Sequence, residues 1–358
     1  MVTRIPAPRF DLIPYPSVFP RVELTISCTD ADSLPKVAGA GELFERDGQS
    51  LQRMFNGVVI EEGCYGGQWM TEIIRSLHGH HEPQEEVVFA AIIARLKRDK
   101  PQNPRMIEFG SFWSFYSLWF GSALENARMF GLEPDPNNLE VGRRNAVLNG
   151  LEDRIDFLHG AIGDRPGEEL VFENESDGGE TSVIQYDLDS LLELNHWNRA
   201  DLVLVDVQGA ETVLLERVRE SLMSGRVRFL VVSTHHHSIS HDPLTHQKAL
   251  RLIEECGGHI IAEHSVDESF SGDGLVAASF DPADRDMTVQ VSYARAGDSL
   301  FGELEWDLAK SWSRSQDVTA EAESAKREIA AVYATRLWRA ARPIRRAYGS
   351  MLRRRRDA

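Results

Sequence analysis

Cysteine is scarce in this chain: three residues, Cys28, Cys64 and Cys256, among 358. An odd number at wide spacing excludes a disulfide framework and a thiolate zinc site, and points to a reducing compartment. Positive charge is also short, with 39 Lys and Arg against 56 Asp and Glu, a net charge of −17. That excludes nucleic acid as a partner for the body of the protein, because phosphate binding requires a basic face. No window approaches 18 uncharged apolar residues, so no membrane-spanning helix is expected. Prolines interrupt "MVTRIPAPRFDLIPYPSVFP" where a signal peptide needs an apolar run. These absences predict a cytoplasmic protein. The apolar fraction of 42% is ample for a core in one large domain or two modest ones.

Glycine is missing from one telling place. "RMIEFGSFWSFYSLWF" (105–120) opens as a strand followed by Gly110, yet Phe112 and Ser114 stand where a dinucleotide-binding turn places further glycines. Seven of the twelve residues from Phe109 to Phe120 are aromatic. Beyond it, apolar runs alternate with helical stretches. Strands are predicted at Met106–Phe109, Ala127–Leu132, Ile155–Leu158, Leu202–Val205, Phe229–Ser233, His259–Ala262 and Leu275–Ser279. Helices are predicted at 83–98, 113–124, 137–148, 188–194, 210–223 and 244–256. The alternation implies a parallel sheet covered on both faces, ending in a long hairpin with an antiparallel strand. Upstream, "VELTISCTDAD" reads as a strand and turn, and "NGVVIEEGCYGG" as a strand ended by glycines. The polar stretch 164–182 reads as a surface excursion between the third and fourth strands. The domain division follows: an N-terminal extension over 1–80, an α/β domain over 81–297 and a helical basic tail over 298–358.

In such a sheet, ligands bind at the carboxyl ends of the strands. Glu108 and Gly110 follow the first strand. Glu133 follows the second, 25 residues on, where its two oxygens match the cis-diol of a ribose. Pro134 ends that strand, and Asp135 leads into the next helix. The spacing fits an adenosine cofactor and leaves NAD and S-adenosylmethionine (SAM) both open. "HGAIGD" (159–164) puts Ala161 and Ile162 in a position to flank an adenine, with Asp164 near its amino group. Asp206 ends the fourth strand, and Glu211 enters the next helix, whose dipole favours its charge. Five histidines between 235 and 246 follow the fifth strand and offer a general base or a metal ligand. A divalent ion shared by Asp206 and a histidine stays open, and no residue is assigned as a metal ligand. "GHHEPQEE" (79–86) crowds two further histidines with three acids ahead of a helix.

Together these pieces resemble the FkbM family of SAM-dependent methyltransferases over about residues 105–280. The resemblance rests on Glu108–Gly110, "LEPDPNNLEVGRRNAVLNGL", "VDVQGAE" and the histidine after the fifth strand, with Gln208 in place of the middle acid of the family's D-x-E-G-x-E pattern. "YGGQWMTEIIRSLHGHHEPQEEVVF" also resembles the lead-in of a bacterial subgroup associated with cell-surface glycans. The resemblance implies a seven-stranded, mostly parallel, doubly wound sheet of the class I methyltransferase, Rossmann-like type. It implies O-methylation of a hydroxyl, of a sugar in a cell-surface glycan or glycolipid precursor. Glu108, Gly110 and Ser111 would line the methionine part of SAM. Glu133, with Pro134 and Asp135, would hold the ribose, and Ala161 and Ile162 would lie by the adenine. Asp206, His235 and Glu211 are the catalytic candidates. The rival readings are an NAD-dependent oxidoreductase, which Phe112 obstructs, and a non-catalytic binding module. The tail carries nine arginines and one acid from Arg336 onward, with Trp338 among them. Such a helix suits a peripheral contact, over 329–358, with the inner face of the cell membrane or with a protein.

Overall fold

The computed structural model describes residues 9, 13, 18–294 and 304–334. The chain divides into two units, Met1–Ala294 and Arg295–Ala358. In the first unit, α1 (Phe19–Ile26) precedes a small antiparallel sheet of β1 (Leu43–Arg46), β2 (Gln49–Arg53) and β3 (Val59–Glu61). Helices α2 (Gln68–Ser76) and α3 (Pro83–Asp99) lead into β4 (Arg105–Phe109), α4 (Phe115–Ala123), β5 (Arg128–Glu133), α5 (Pro136–Leu148) and β6 (Ile155–Ile162). Next come β7 (Glu169–Glu173), β8 (Glu180–Tyr186), α6 (Leu188–Leu194), β9 (Ala200–Val205), α7 (Glu211–Arg217) and α8 (Arg219–Met223). The unit ends with β10 (Val227–Thr234), α9 (His237–Ser240), α10 (Thr245–Glu255), β11 (His259–His264) and β12 (Gly274–Ser279).

The main sheet runs β11-β12-β10-β9-β4-β5-β6-β8-β7. From β6 to β10 the ladders pair in parallel through β5, β4 and β9, and β12 inserts antiparallel between β10 and β11. The doubly wound α/β architecture is therefore the expected one, with nine strands instead of seven. The two extra strands come from 169–186, overlapping the stretch read as a surface excursion: β7 and β8 pair antiparallel, and β8 extends the sheet beside β6. Alternation along the central strands explains why both faces are covered. Leu202 and Leu204 enter one buried cluster with Phe89, Phe115 and Phe120; Val203 and Val205 enter another with Leu188, Leu215 and Ile253. The aromatic run after β4 is thus mostly core of the first face.

The stretch "VELTISCTDAD" forms α1 and turns rather than a strand. Its β-branched residues face the core on a helical period, with Val22 and Thr25 buried, and Thr25 Oγ1 donates to the Phe270 carbonyl at 2.7 Å. Tertiary contact overrides the local preference. The helix expected at 210–223 is broken into α7 and α8 at Val218. Asn145 of α5 and Asn149, the residue that caps its carboxyl end, serve the small sheet. Asn149 accepts from the Val59 N–H at 2.9 Å and donates to the Val59 carbonyl at 2.7 Å, and Asn145 accepts from the Glu61 N–H at 3.1 Å. At the amino ends of the strands, buried Asp284 joins Arg95 (2.7 Å) and Arg228 (2.9 Å).

The second unit contains α11 (Leu304–Ala334). Ile329 and Tyr333 are exposed on it. The arginines expected to carry the tail's contact, Arg336 onward, lie outside the described residues, as do the prolines at 6, 8, 14 and 16. Among the described residues no helix is long and apolar enough to cross a membrane.

Candidate active site

The order of the strands reverses between the parallel neighbours β4 and β9, and the turns after these two strands meet there. Glu108 pairs in register with Leu204, and Phe109 with Val205, so Gly110 and Asp206 emerge side by side. Gly110 has φ +77°, and a Cβ on it would fall 1.7 Å from the Asp206 carbonyl oxygen. Only glycine fits both the backbone and the space. Its N–H and that of Ser111 donate to the Leu132 carbonyl (2.9 and 3.1 Å), so these amides lock the turn to β5. The odd residues of the turn have a local cause. Phe112 and Ser114 adopt φ of +32° and +61°. Ser114 holds this with its side chain, donating to the Ser111 carbonyl at 3.2 Å, while the Phe112 carbonyl and Ser114 Oγ crowd against Gly142 of α5. A small residue is needed at 114 for α5 to approach.

A cavity of about 560 Å³ opens over these turns. Glu108, Gly110, Ser111, Glu133 and Pro134 line it, together with Ala161, Ile162 and Asp206. β6 runs four residues further than expected, so Ala161 and Ile162 reach the wall as strand residues rather than as a loop. Glu133 accepts from the Phe112 N–H (3.0 Å) on one oxygen and from the Asp135 N–H (3.0 Å) on the other. Burial, opposed by these two bonds, lifts its carboxyl to about 8. Burial likewise lifts Glu108 to about 8, against a bond from the Ser117 N–H. The buried Ser111 hydroxyl has no partner in the protein.

Three assigned residues stand off the cavity wall. Asp135 caps α5 through the Asn137 and Asn138 N–H groups and also accepts from the Ser176 N–H (2.8 Å) and hydroxyl (2.9 Å). Its carboxylate is fully used within the protein and is not on the lining, so it supports Glu133 from outside. His235 and Glu211 lie behind Asp206. His235 Nδ1 is 2.5 Å from Glu211 Oε1, and Nε2 is 3.2 Å from Asp206 Oδ1, outside hydrogen-bond alignment. Burial works against a charge on His235, but Asp206 and Glu211 overcome it and raise the ring to about 11. His235 is therefore an imidazolium at neutral pH and not a free base. Asp164, placed near an adenine from the sequence, is exposed and off the wall.

Other wall residues escaped the sequence reading. Glu175 reaches the cavity from the β7–β8 connection, which no periodicity marked. Asp273, which is off the wall and beside His235, lies 3.9 Å from its Nε2, and burial lifts it to about 7. Tyr65, His81 and Glu82 come from the segment ahead of α3. The crowding of "GHHEPQEE" was the signal for two of them. Glu86 binds both His80 and His81, and His81 Nε2 is 3.4 Å from Glu82. Among the described residues no group of three or more His, Cys, Asp and Glu is arranged to hold a metal ion.

Residues 100–260 match the family model described as the methyltransferase FkbM domain. No curated protein matches the chain. Solved structures with a similar course include a precorrin-6y C5,15-methyltransferase from Geobacter metallireducens GS-15, at 16% identity and TM-score 0.34, covering 54% of this chain and 87% of that one. The N-terminal domain of human METTL16, in complex with SAH, gives 15% identity and TM-score 0.36 over 56% and 71% of the two chains. An O-methyltransferase from Bacillus cereus, also in complex with SAH, gives 14% and 0.35 over 54% and 80%.

Proposed function

We infer, from the match of residues 100–260 to the methyltransferase FkbM domain, that the chain binds SAM in this cavity and methylates a hydroxyl. The acceptor hydroxyl is read as that of a sugar in a glycan or glycolipid precursor. The observation that carries the reading is Asp206, a carboxylate on the cavity wall beside the Gly110 turn, backed by buried His235 and Glu211.

The residues present suit the cofactor. The cavity volume is in the usual range for small ligands, about 300–1,000 Å³. Glu133 presents a buried carboxyl group whose oxygens retain hydrogen-bonding capacity for ribose hydroxyls. The unpartnered Ser111 hydroxyl supplies a donor and acceptor for the amino-acid end, and Ala161 and Ile162 supply an apolar wall for adenine. When bound, SAM supplies an electrophilic methyl group on a sulfonium.

Asp206 would accept the hydrogen bond of the acceptor hydroxyl and hold the proton that this hydroxyl gives up. His235, held charged, does not compete for that proton; it orients Asp206, and Glu211 orients His235. Glu211 also accepts from the Gly209 N–H at 2.9 Å, fixing the turn that carries Asp206. Positioning of this kind supplies most of the acceleration when the donor is already reactive.

Calorimetric titration with S-adenosylhomocysteine and with NADH tests the cofactor. Binding of the first alone supports the reading, and binding of NADH alone would replace it with an oxidoreductase.

A further inference from the structure

The cavity wall is acidic, although burial keeps Glu108 and Glu133 largely protonated near neutral pH. Glu82, Glu108, Glu133, Glu175 and Asp206 line it, and among the described lining residues there is no lysine or arginine. Two imidazoles are present. His81 has both ring nitrogens against carboxylates, Glu86 Oε1 at 2.6 Å and Glu82 Oε2 at 3.4 Å, so its charge is met inside the protein. His241 sits at the rim, exposed. Two helix N-termini at the wall have amides engaged by acids of the protein: Asp135 takes the first amides of α5, and Glu108 takes the Ser117 N–H of α4. Phosphate recognition needs such amides or a guanidinium or ammonium group. Those amides are taken.

Away from Glu133, the cavity is aromatic. Tyr65 and Trp113 stack at 4.8 Å and 4°, Phe112 meets Tyr65 edge-on at 5.6 Å, and Tyr116 lies by Glu82 at 3.5 Å. Tyr65, His81 and Glu82 precede residue 100, outside the matched domain. Aromatic rings beside carboxylates accommodate the apolar face of a polyol and attract an ammonium group.

Resting on the methyltransferase reading, we propose that the acceptor carries no phosphate near its reacting hydroxyl. It is a neutral sugar or an amino sugar, selected by the aromatic and acidic wall of Tyr65, Glu82, Phe112, Trp113 and Tyr116. Sugar phosphates and nucleotide sugars are turned away. The chemistry also places the reaction in sequence: any activating phosphate has been removed, or lies far along the acceptor, before methylation.

The test uses the full chain loaded with S-adenosylhomocysteine, whose binding is first confirmed by calorimetry. Failure at that step refutes the methyltransferase reading and is distinct from failure of this one. NMR titrations then compare glucosamine and methyl glucoside with glucose 1-phosphate. The phosphorylated sugar is expected to bind about tenfold more weakly, as carboxylates within a few ångströms dictate. Equal signals from the three, or a stronger one from the phosphate, overturn the proposal. Glu82→Lys is expected to narrow the preference and Glu82→Gln to weaken glucosamine alone, with near-UV circular dichroism confirming each fold. An unchanged ranking in both variants overturns the role of Glu82.

Discussion

Replacing Glu133 by glutamine is expected to strengthen the empty protein at high pH while crippling the site. Glu133 is 5% exposed, and its carboxyl sits at about 8 in the folded chain against an ordinary 4.5. Between those values the folded state keeps a proton that the unfolded state has released. Stability therefore falls as pH rises from 4.5 to 8, and the penalty is constant above. At about 1.4 kcal/mol per pH unit the ceiling is roughly 4–5 kcal/mol, and relaxation with water entry brings it to about 2–3 kcal/mol. Glutamine never ionises, so it escapes this penalty. It retains one of the two oxygens that accept the Phe112 and Asp135 amides, a loss of about 1 kcal/mol. Near pH 4.5 the variant is expected to be weaker by about 1 kcal/mol, and near pH 8.5 stronger by about 1–2 kcal/mol. Urea unfolding of both proteins at the two pH values measures the crossing. S-adenosylhomocysteine affinity is expected to fall about tenfold or more, since an amide oxygen alone cannot serve two ribose hydroxyls. A stability difference that does not change with pH would refute the electrostatic argument. Unchanged affinity would remove the ribose role.

Gly110→Ala is expected to lose about 3 kcal/mol or more, through left-handed strain and collision with the Asp206 carbonyl, and to abolish ligand binding; denaturant midpoints and calorimetry report both. Asp284→Asn removes a buried charge shared by Arg95 and Arg228, at a cost of about 3 kcal/mol, yet leaves S-adenosylhomocysteine affinity unchanged because the network lies at the opposite end of the strands. Asp206→Asn is expected to cut methyl transfer about 100-fold or more with ligand affinity kept, measured in single-turnover assays. The stabilising contact of His235 with Asp206 and Glu211 is complete below pH 6.5 and is lost as pH rises through about 11. The melting temperature should thus fall toward pH 11 in the natural chain and less so in His235→Gln.

Periodicity carried the seven strands, with boundaries off by one to four residues, because strands buried on both faces leave long apolar runs. Position at the strand ends then singled out Glu108, Gly110, Glu133 and Asp206, which do share one cavity. What stayed hidden depends on distance in the chain. Glu175 and Asp273 reach the site from connections with no pattern of their own. Asp135 and Glu133 look alike in sequence, but one turns to its helix and the other to the cavity. His235 looks like a base until the two acids against it are known. Ser114 is intelligible only with Gly142 in contact.

The asparagines at the carboxyl end of α5 have a consequence for how the molecule behaves among its neighbours in solution. β3 is the last strand of a three-stranded sheet, and an open last strand invites another chain to pair with it. Asn149 offers Val59 both an acceptor and a donor, as a backbone would, and Asn145 does half as much for Glu61. Side chains of a helix and its cap thus stand in for the missing fourth strand. Removing Asn149 would expose that border, and self-association is the hazard that this helix holds off.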